Sequence, residues 1–196
     1  YYVPNNMAII ISGDINPAEA IKLIDRYFSH WQTKELPIRK TWQEAPLNGQ
    51  EVVDIDFPGQ EQLMMGFRTV ESGHEDESAL KMFDMILDNS QAGLINMNIN
   101  QKLLAQRAGC YPMMLNDYGN QTFYGIPKKG QSLDEVKDLI LQQIEKVKKG
   151  EFEEWLLPAI LADFTKNQQA KLEDNSGRVE VLRDLFIGRT SISSYA

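Results

Sequence analysis

Residues 6–14 read NMAIIISGD, a short apolar run that ends in a glycine turn. Such a run, rich in β-branched residues and closed by a turn signal, predicts a buried β-strand. A helix should follow, because Asn16 can cap it, Pro17 suits its first position and Glu19 lies where a capping-box acid belongs. A core strand so near the first residue needs partner strands. The sequence therefore predicts a piece of a larger protein.

The composition is that of an ordinary globular protein, with 42% hydrophobic and 24% charged residues among 196. This length suits one large domain or two small ones. The formal net charge is −8, and the basic residues form no dense cluster. Nucleic-acid binding and adsorption to an anionic membrane are therefore disfavoured. No apolar run reaches the ~20 residues of a membrane span.

Periodicity divides the chain into elements. The first helix, from Pro17 to about residue 29, carries an apolar stripe that includes Ile21. Residues 33–49 have no strong period and contain prolines and an Asn-Gly pair, so they predict a linker. Beyond it, alternation predicts strands at 51–57, 62–67, 111–115 and 122–126.

Helical spacing and capping signals predict further helices at 75–88, 94–108, 132–149, 152–172 and 176–187. Ser132 and Glu135 form a capping box, and Gly150 ends that helix. Pro158 requires the next helix to kink or to start late. We expect Ser176 to cap the last helix. Strands mostly precede helices, so the predicted fold is α+β, a two-layer sheet with helices on one face.

The two histidines, His30 and His74, predict no metal site. A catalytic zinc commonly takes three protein ligands, two of them histidines at close helical spacing. Neither an HxxEH nor an HExxH pattern occurs in the sequence. Both histidines are better explained by their positions at helix ends. The sequence therefore predicts no catalytic residue and no metal ligand in this chain, and it leaves the substrate-binding residues unknown.

Two acidic patterns have a functional and a simpler interpretation. The densest polar cluster could bind a cation, or its acids could decorate the first turn of a helix, where negative charge is favoured. Its members are Glu71, His74, Glu75, Asp76 and Glu77. Asp54 and Asp56 point the same way from one strand, as an acid-base pair would. A solvent-facing strand explains them equally, and we favour the simpler interpretation for both patterns.

The single cysteine, Cys110, can form neither an internal disulfide nor a thiolate metal site. We interpret it as a small, inert apolar residue at the end of a helix. One cysteine is compatible with the cytoplasm and with a periplasmic protein that avoids thiols. The compartment is therefore not assigned, and both the bacterial periplasm and the cytoplasm stay open.

The N-terminal region resembles the pitrilysin/insulinase family of zinc metallopeptidases. The resemblance rests on Tyr2-x-Pro4-Asn5-Asn6-Met7, the apolar strand, Gly13-Asp14 and a helix that ends in Tyr27-Phe28. Later elements match in order through Gly150-Glu151-Phe152. Many relatives have a glycine-rich turn and an Arg-Leu pair after the helix that ends near Leu87. Residues 88–94 read DNSQAGL here, without arginine, so no substrate contact is carried over.

This resemblance implies a half-domain of the pitrilysin or mitochondrial-processing-peptidase type. Residues 1–32 would be the last strand and helix of a preceding metal-binding domain, 33–49 a linker and 50–196 a non-catalytic α+β domain. The zinc motif would lie upstream, so we expect no cofactor in this chain and zinc in the preceding domain. The expected partners are that domain, the second half of the parent protein and a peptide substrate.

The function implied is that of an inactive domain that forms part of a peptide-binding chamber and packs on the catalytic domain. One alternative is a catalytically dead homologue that acts as a peptide-binding or assembly subunit. Another is a freestanding α+β binding domain unrelated to peptidases. Because unpaired strand edges attract partners, self-association through the N-terminal strand is a further hypothesis.

Overall fold

A computed structural model describes residues 1–89 and 92–188. The chain divides into two compact units, of which the larger is Trp42–Phe164. The smaller unit combines Tyr1–Thr41 with residues from Thr165 onward. The helices are α1 (Pro17–Phe28), α2 (Glu77–Leu87), α3 (Leu133–Lys149), α4 (Leu156–Glu173) and α5 (Asn175–Ile187). The strands are β1 (Leu63–Thr69), β2 (Arg107–Met114) and β3 (Gly119–Ile126).

In the larger unit, these strands form one antiparallel sheet in the order β1-β3-β2. The central strand aligns Phe123 with Met65 on one side and with Cys110 on the other. Helices α2 and α3 pack on the face that carries these side chains. The core on this face comprises Leu87, Ile95, Ile99, Ala105, Ala108, Cys110, Phe123, Val136, Ile140 and Ile144. The predicted α+β fold with helices on one face is confirmed.

Helix α3 lies close to the sheet for two reasons. Its two ends are set by capping residues, and the strand beneath it has a glycine where the helix makes contact. The predicted capping box of Ser132 and Glu135 is present, and Gly150 closes the helix at φ 69°. A Cβ at Gly125 of β3 would overlap the Cγ1 atom of Val136. Glycine at that position therefore allows the helix to contact the strand backbone. A second cluster of Ile86, Leu94, Leu156 and Ile160 joins the start of α4 to α2.

The smaller unit contains α1 and α5. Asn5 connects the N-terminal segment to the segment that follows α1, because its Nδ2 donates a hydrogen bond to the Lys34 carbonyl at 3.0 Å. Ser12 Oγ donates to Asn175 Oδ1 at 3.0 Å. Asn16 caps α1 as predicted, by accepting from the Ala18 N–H. The apolar stripe of α1 is not buried, and Ile21 is 58% exposed.

Two predicted strands are wrong for this structure. Residues 7–11 form neither strand nor helix, and Ile9 is 51% exposed rather than buried. Residues 51–57 are exposed throughout and form no strand, so Asp54 and Asp56 share no strand face. The physical reason is the same in both cases. Alternating or apolar sequence confers a propensity for the extended state, but a strand also needs a neighbour to accept its hydrogen bonds. No neighbouring strand pairs with either segment in the described parts of the chain.

The predicted helix at 94–108 is wrong beyond its first turns. A π-helical turn at Asn96–Asn100 ends it, and β2 already begins at Arg107. Asn100 stabilises the turn between this helix and β2. Its side chain donates to the Ala108 carbonyl and accepts from the Ala108 N–H, both at 2.9 Å. Leu103 in the connection has φ 52°. Cys110 consequently lies within β2 and not at the end of a helix.

Smaller differences concern helix ends. Helix α4 starts late, at Leu156, which is one of the two outcomes that Pro158 predicted. The cap of α5 is Asp174, whose side chain accepts from the Gly177 N–H, so Ser176 is not the cap. Gly188 follows Ile187 as the C-cap of α5, which agrees with the predicted end of this helix at residue 187. The predictions for Ser90, Gln91 and residues 189–196 lie outside the described residues.

No helix in the described ranges is long and apolar enough to cross a membrane.

Candidate functional site

The face of the sheet opposite α2 and α3 is the candidate site, and we call it the open face. The register of the strands determines which side chains share it, because residues directly opposite in an antiparallel pair lie on one face. Its main side chains are Met64, Arg107, Tyr111, Met113, Thr122 and Tyr124. Met113 and Tyr111 are 46% and 41% exposed. The open face thus presents apolar and aromatic side chains to its surroundings.

Tyr124 is the centre of the open face. Its ring lies 6.5 Å from the ring of Tyr111, centroid to centroid, and the Arg107 guanidinium lies 6.0 Å from its centroid. Gly109 stands between these two neighbours on β2. A Cβ at Gly109 would lie 2.5 Å from the Tyr124 hydroxyl oxygen and 2.7 Å from Asp88 Oδ2. The missing side chain therefore lets the phenol ring lie across β2.

Arg107 keeps its charge available on this face. Within residues 1–89 and 92–188 it makes no ion pair. A guanidinium stacked on a tyrosine ring retains most of its N–H donors for carboxylates or carbonyl oxygens. Together with Tyr111 and Tyr124, it offers what an extended peptide needs from a surface, namely apolar contact and hydrogen-bond donors.

A polar cluster lies beneath the sheet, between α2 and the strands. Asp84 Oδ1 accepts from Gln121 Nε2 at 2.6 Å and from Cys110 Sγ at 3.3 Å. Asp88 Oδ2 accepts from the Cys110 N–H at 3.0 Å. Gln121 is 2% exposed. Among residues 1–89 and 92–188, the Gln121 Oε1 atom has no hydrogen-bond partner.

Burial dominates the electrostatics of this cluster. It raises the pKa of Asp84 above its usual value, although the hydrogen bonds from Gln121 and Cys110 act in the other direction. Burial also raises the pKa of the Cys110 thiol, and the nearby Asp84 charge adds to that effect. A thiol held in its protonated form is a poor nucleophile and a poor metal ligand. The cluster is therefore a structural feature, and the interpretation of Cys110 as inert agrees with it.

The acidic cluster predicted near residue 74 serves the start of α2. Glu77 accepts from the Gly73 N–H at 2.6 Å and from Lys81 Nζ at 2.6 Å. The hydrogen bond from Lys81, followed by that from Gly73, lowers the pKa of Glu77. His74 Nδ1 accepts from the Asp76 N–H at 3.1 Å. These bonds connect Glu77, His74 and Asp76 to backbone and side-chain groups at the start of α2, as is usual at the beginning of a helix.

Nothing in the described residues assembles a metal site. No group of three or more His, Cys, Asp or Glu side chains in these ranges is placed to hold a metal ion. His30 follows the end of α1, whereas His74 precedes α2 in the larger unit. A zinc ion therefore finds no ligand set among these residues.

Reasoning from the sequence missed the open face. It predicted strands at 111–115 and 122–126 but assigned no functional role to Arg107, Tyr111 or Tyr124. The alternation within 107–113 and 120–126 contained a signal, because it places these residues on one side of two strands. What the sequence alone could not show was which side the helices cover.

Residues 1–163 match the family described as the peptidase M16 inactive domain. This match covers most of the chain, and the chain belongs to that family. The sequence is also 24% identical, over 196 residues, to the zinc protease PqqE of Helicobacter pylori. That alignment covers 95% of this chain and 43% of the relative. The chain thus spans less than half the length of this curated relative.

Solved structures share the fold. A protease from Helicobacter pylori matches with a TM-score of 0.76 at 19% identity, over 90% of this chain and 44% of the other. A structure from Bordetella parapertussis, described as an inactive peptidase domain, matches with a TM-score of 0.57 at 15% identity. It covers 68% of this chain and 74% of that one. The predicted relation to zinc metallopeptidases, and the predicted inactive character of the domain, are confirmed at the level of the family.

Proposed function

We propose that the open face forms one wall of a peptide-binding chamber in a zinc metallopeptidase whose chemistry resides in another domain. Membership of an inactive-domain family accounts for the lack of a ligand set in the described residues. The observation that carries the proposal is the exposed surface of Tyr111 and Met113 beside the partly buried Tyr124. Arg107 borders this surface and makes no ion pair within residues 1–89 and 92–188. Such a surface can hold an extended peptide without contributing to bond cleavage.

The domain division is part of this proposal. Residues 1–32 would supply the last strand and helix of a metal-binding domain, with residues 7–11 becoming a strand only when they pair with that domain. Residues 33–49 would be the linker and 50–196 the non-catalytic domain. The half-exposed apolar side chains of residues 7–11 support it, because they offer apolar surface and backbone hydrogen-bonding groups to a preceding domain. Zinc belongs to that preceding domain, and the second half of the parent protein closes the chamber.

The test is to express this chain together with the sequence that precedes it in its gene, and to measure cleavage of an unstructured fluorogenic peptide. Tyr111→Ala and Met113→Ala remove peptide contacts from the open face, so we expect KM to rise several-fold while kcat is largely kept. Leu157→Ala is the matched control, since Leu157 is a 37% exposed apolar residue of α4 outside this face. Unchanged kinetics in both open-face variants would refute the chamber wall.

Two further outcomes concern zinc. The 196-residue chain alone should contain no stoichiometric zinc by elemental analysis, and one zinc per chain would overturn the assignment of the metal to another domain. If the preceding sequence lacks an HxxEH zinc motif and the longer protein cleaves no peptide, the role is that of a peptide-binding or assembly subunit. That outcome contradicts the enzymatic proposal.

A further inference from the structure

Strand β2 lies at one end of the sheet, and its outer edge determines whether another extended chain can join the sheet there. Strand β3 pairs with one side of β2, and no strand pairs with the other side among the residues that the structure describes. An unpaired edge presents a row of backbone N–H and C=O groups, which a peptide or a second copy of the chain can bind. Along β2, however, these groups meet side chains of the same chain.

Alternate residues of β2 direct their backbone groups away from β3. In an antiparallel pair, only every second residue exchanges hydrogen bonds with the residue opposite. Ala108 and Cys110 donate their N–H groups to side chains outside the sheet, so these two residues face outward. Pro112 and Met114 continue the same alternation to the end of the strand. A strand that joined this edge would bind the backbone groups of these four residues.

The first outward position is occupied by Asn100. Its side chain accepts from the Ala108 N–H and donates to the Ala108 carbonyl, both at 2.9 Å. The carboxamide therefore makes the same two hydrogen bonds that a residue on a neighbouring strand would make. Ala108 is 3% exposed, so no room is left for a backbone beside it. An incoming strand cannot pair at this position.

The second outward position is occupied by Asp88, the residue that follows α2. Its Oδ2 atom accepts from the Cys110 N–H at 3.0 Å. Asp88 is the C-cap of α2, where a carboxylate is unfavourable because the negative end of the helix dipole lies there. The contact with β2 gives a physical reason for an acid at this position. Its negative charge also opposes an incoming strand, since charged side chains are a common means of protecting a sheet edge.

The third outward position lacks a donor, because Pro112 has no backbone N–H. Proline within a sheet is confined mainly to edge strands, where the missing donor breaks no internal hydrogen bond. We propose that Asn100, Asp88 and Pro112 together close the outer edge of β2, so that neither an extended peptide nor a second copy of this chain can join the sheet there. Three successive outward residues are then unable to form the pair of hydrogen bonds that strand addition requires.

Closure of this edge restricts how the open face can hold a peptide. If the open face forms the chamber wall proposed above, the peptide is bound by side chains such as Arg107, Tyr111 and Met113, and main-chain pairing with β2 is excluded. This restriction on the peptide rests on the proposed function. The closure of the edge does not, because it depends only on contacts within this chain.

Hydrogen–deuterium exchange in the full chain tests the role of Asp88. Asp88→Ala removes the acceptor of the Cys110 N–H, whereas Asp88→Asn removes the charge and keeps an oxygen that can accept. We expect the Cys110 amide to exchange at least about tenfold faster in Asp88→Ala than in wild type, with Asp88→Asn close to wild type. Amides of β3, which lies between two strands, are the internal reference for any global loss of stability. Equal Cys110 rates in wild type and Asp88→Ala would overturn the proposal, and so would equally fast exchange in the two variants.

Self-association tests whether the edge is closed, and it needs neither a peptide nor the preceding domain. Asp88→Ala combined with Pro112→Val restores N–H donors at two successive outward positions, and valine favours a strand. Asp138→Ala combined with Pro37→Val is the matched control, since it exchanges the same residue types at exposed positions outside β2.

Sedimentation velocity over a range of protein concentrations measures the association of both variants. The edge variant should associate at least about tenfold more tightly than wild type and the control, because an added strand recovers its hydrogen bonds. Its β2 amides should become protected from exchange as concentration rises. Equal association of the two variants would refute the closure. Protection of wild-type β2 amides that grows with concentration would also refute it, because it would show that a second copy already binds this edge.

Discussion

Asp84 Oδ1 accepts a hydrogen bond from Gln121 Nε2 at 2.6 Å, and this bond ties α2 to the central strand of the sheet. The same oxygen accepts from the Cys110 thiol. A carboxyl group buried beside the core thus has two neutral donors, and the nearby Asp88 adds a further negative charge. Burial has the largest influence and outweighs the two donors, which favour the ionised form, so the pKa of Asp84 lies above its usual value. The stability of the larger unit should therefore depend on pH.

We predict that Asp84→Asn gains stability relative to wild type as the pH rises. Burial raises the folded-state pKa of Asp84. Its stabilising contribution is therefore complete below the unfolded pKa of ~3.9 and is lost as the pH rises through the folded value. Asparagine keeps an acceptor for Gln121 and cannot ionise. Urea unfolding between pH 4 and pH 7, values chosen to bracket carboxyl titration, measures the difference, and a pH-independent difference would contradict the assignment.

Substituting Gly109 should disturb the open face. A methyl group there meets the Tyr124 hydroxyl and the Asp88 carboxylate, so Gly109→Ala should lower the free energy of unfolding by about 1–3 kcal/mol. Gly66→Ala is the matched control on the same face, because nothing lies within 4 Å of its Cβ. We expect that control to be neutral or stabilising by up to about 1 kcal/mol. Urea midpoints measure both, and equal losses would argue against the packing of Tyr124 over Gly109.

Local signals predicted the parts of the fold that depend on neighbours in sequence. The capping box of Ser132 and Glu135 and the stop at Gly150 involve residues within one turn of each other, and both are confirmed. Alternation likewise located β1 and β3 to within a few residues. The order of strands and helices was enough to predict a two-layer α+β fold.

Features that join distant residues could not be predicted in the same way. The bond between Asp84 and Gln121 spans 37 positions, and neither residue has a local reason to meet the other. The sequence places Asn100 in a helix at 94–108, because no neighbouring residue indicates that its side chain binds the Ala108 backbone. The open face is a similar case, since its identity depends on which side α2 and α3 occupy.

Removing the Asn100 side chain should be costly. Asn100→Ala leaves the N–H and the carbonyl of Ala108 without their partner, and Ala108 is 3% exposed. Leaving buried polar groups unsatisfied costs about 1–3 kcal/mol, so we expect a loss of that size in urea unfolding. Asn98→Ala is the control. It leaves one buried acceptor, Gln143 Oε1, without its partner rather than two buried groups, so a smaller loss is expected. If Asn98→Ala lowered the free energy of unfolding by as much, the two bonds to Ala108 would not explain the cost of Asn100→Ala.

The cap of α5 distinguishes the structure from the sequence-based prediction. Asp174 Oδ2 accepts from the Gly177 N–H at 3.3 Å, whereas the sequence predicted Ser176 as the cap. Asp174→Ala should destabilise the first turn of α5 by about 0.5–2 kcal/mol, the usual cost of losing an N-cap. Ser176→Ala should change stability by less than about 0.5 kcal/mol, because no cap is lost. Exchange rates of the amides of residues 177–180 measure this locally. Faster exchange in Ser176→Ala than in Asp174→Ala would restore the sequence-based cap, and the reverse order supports Asp174.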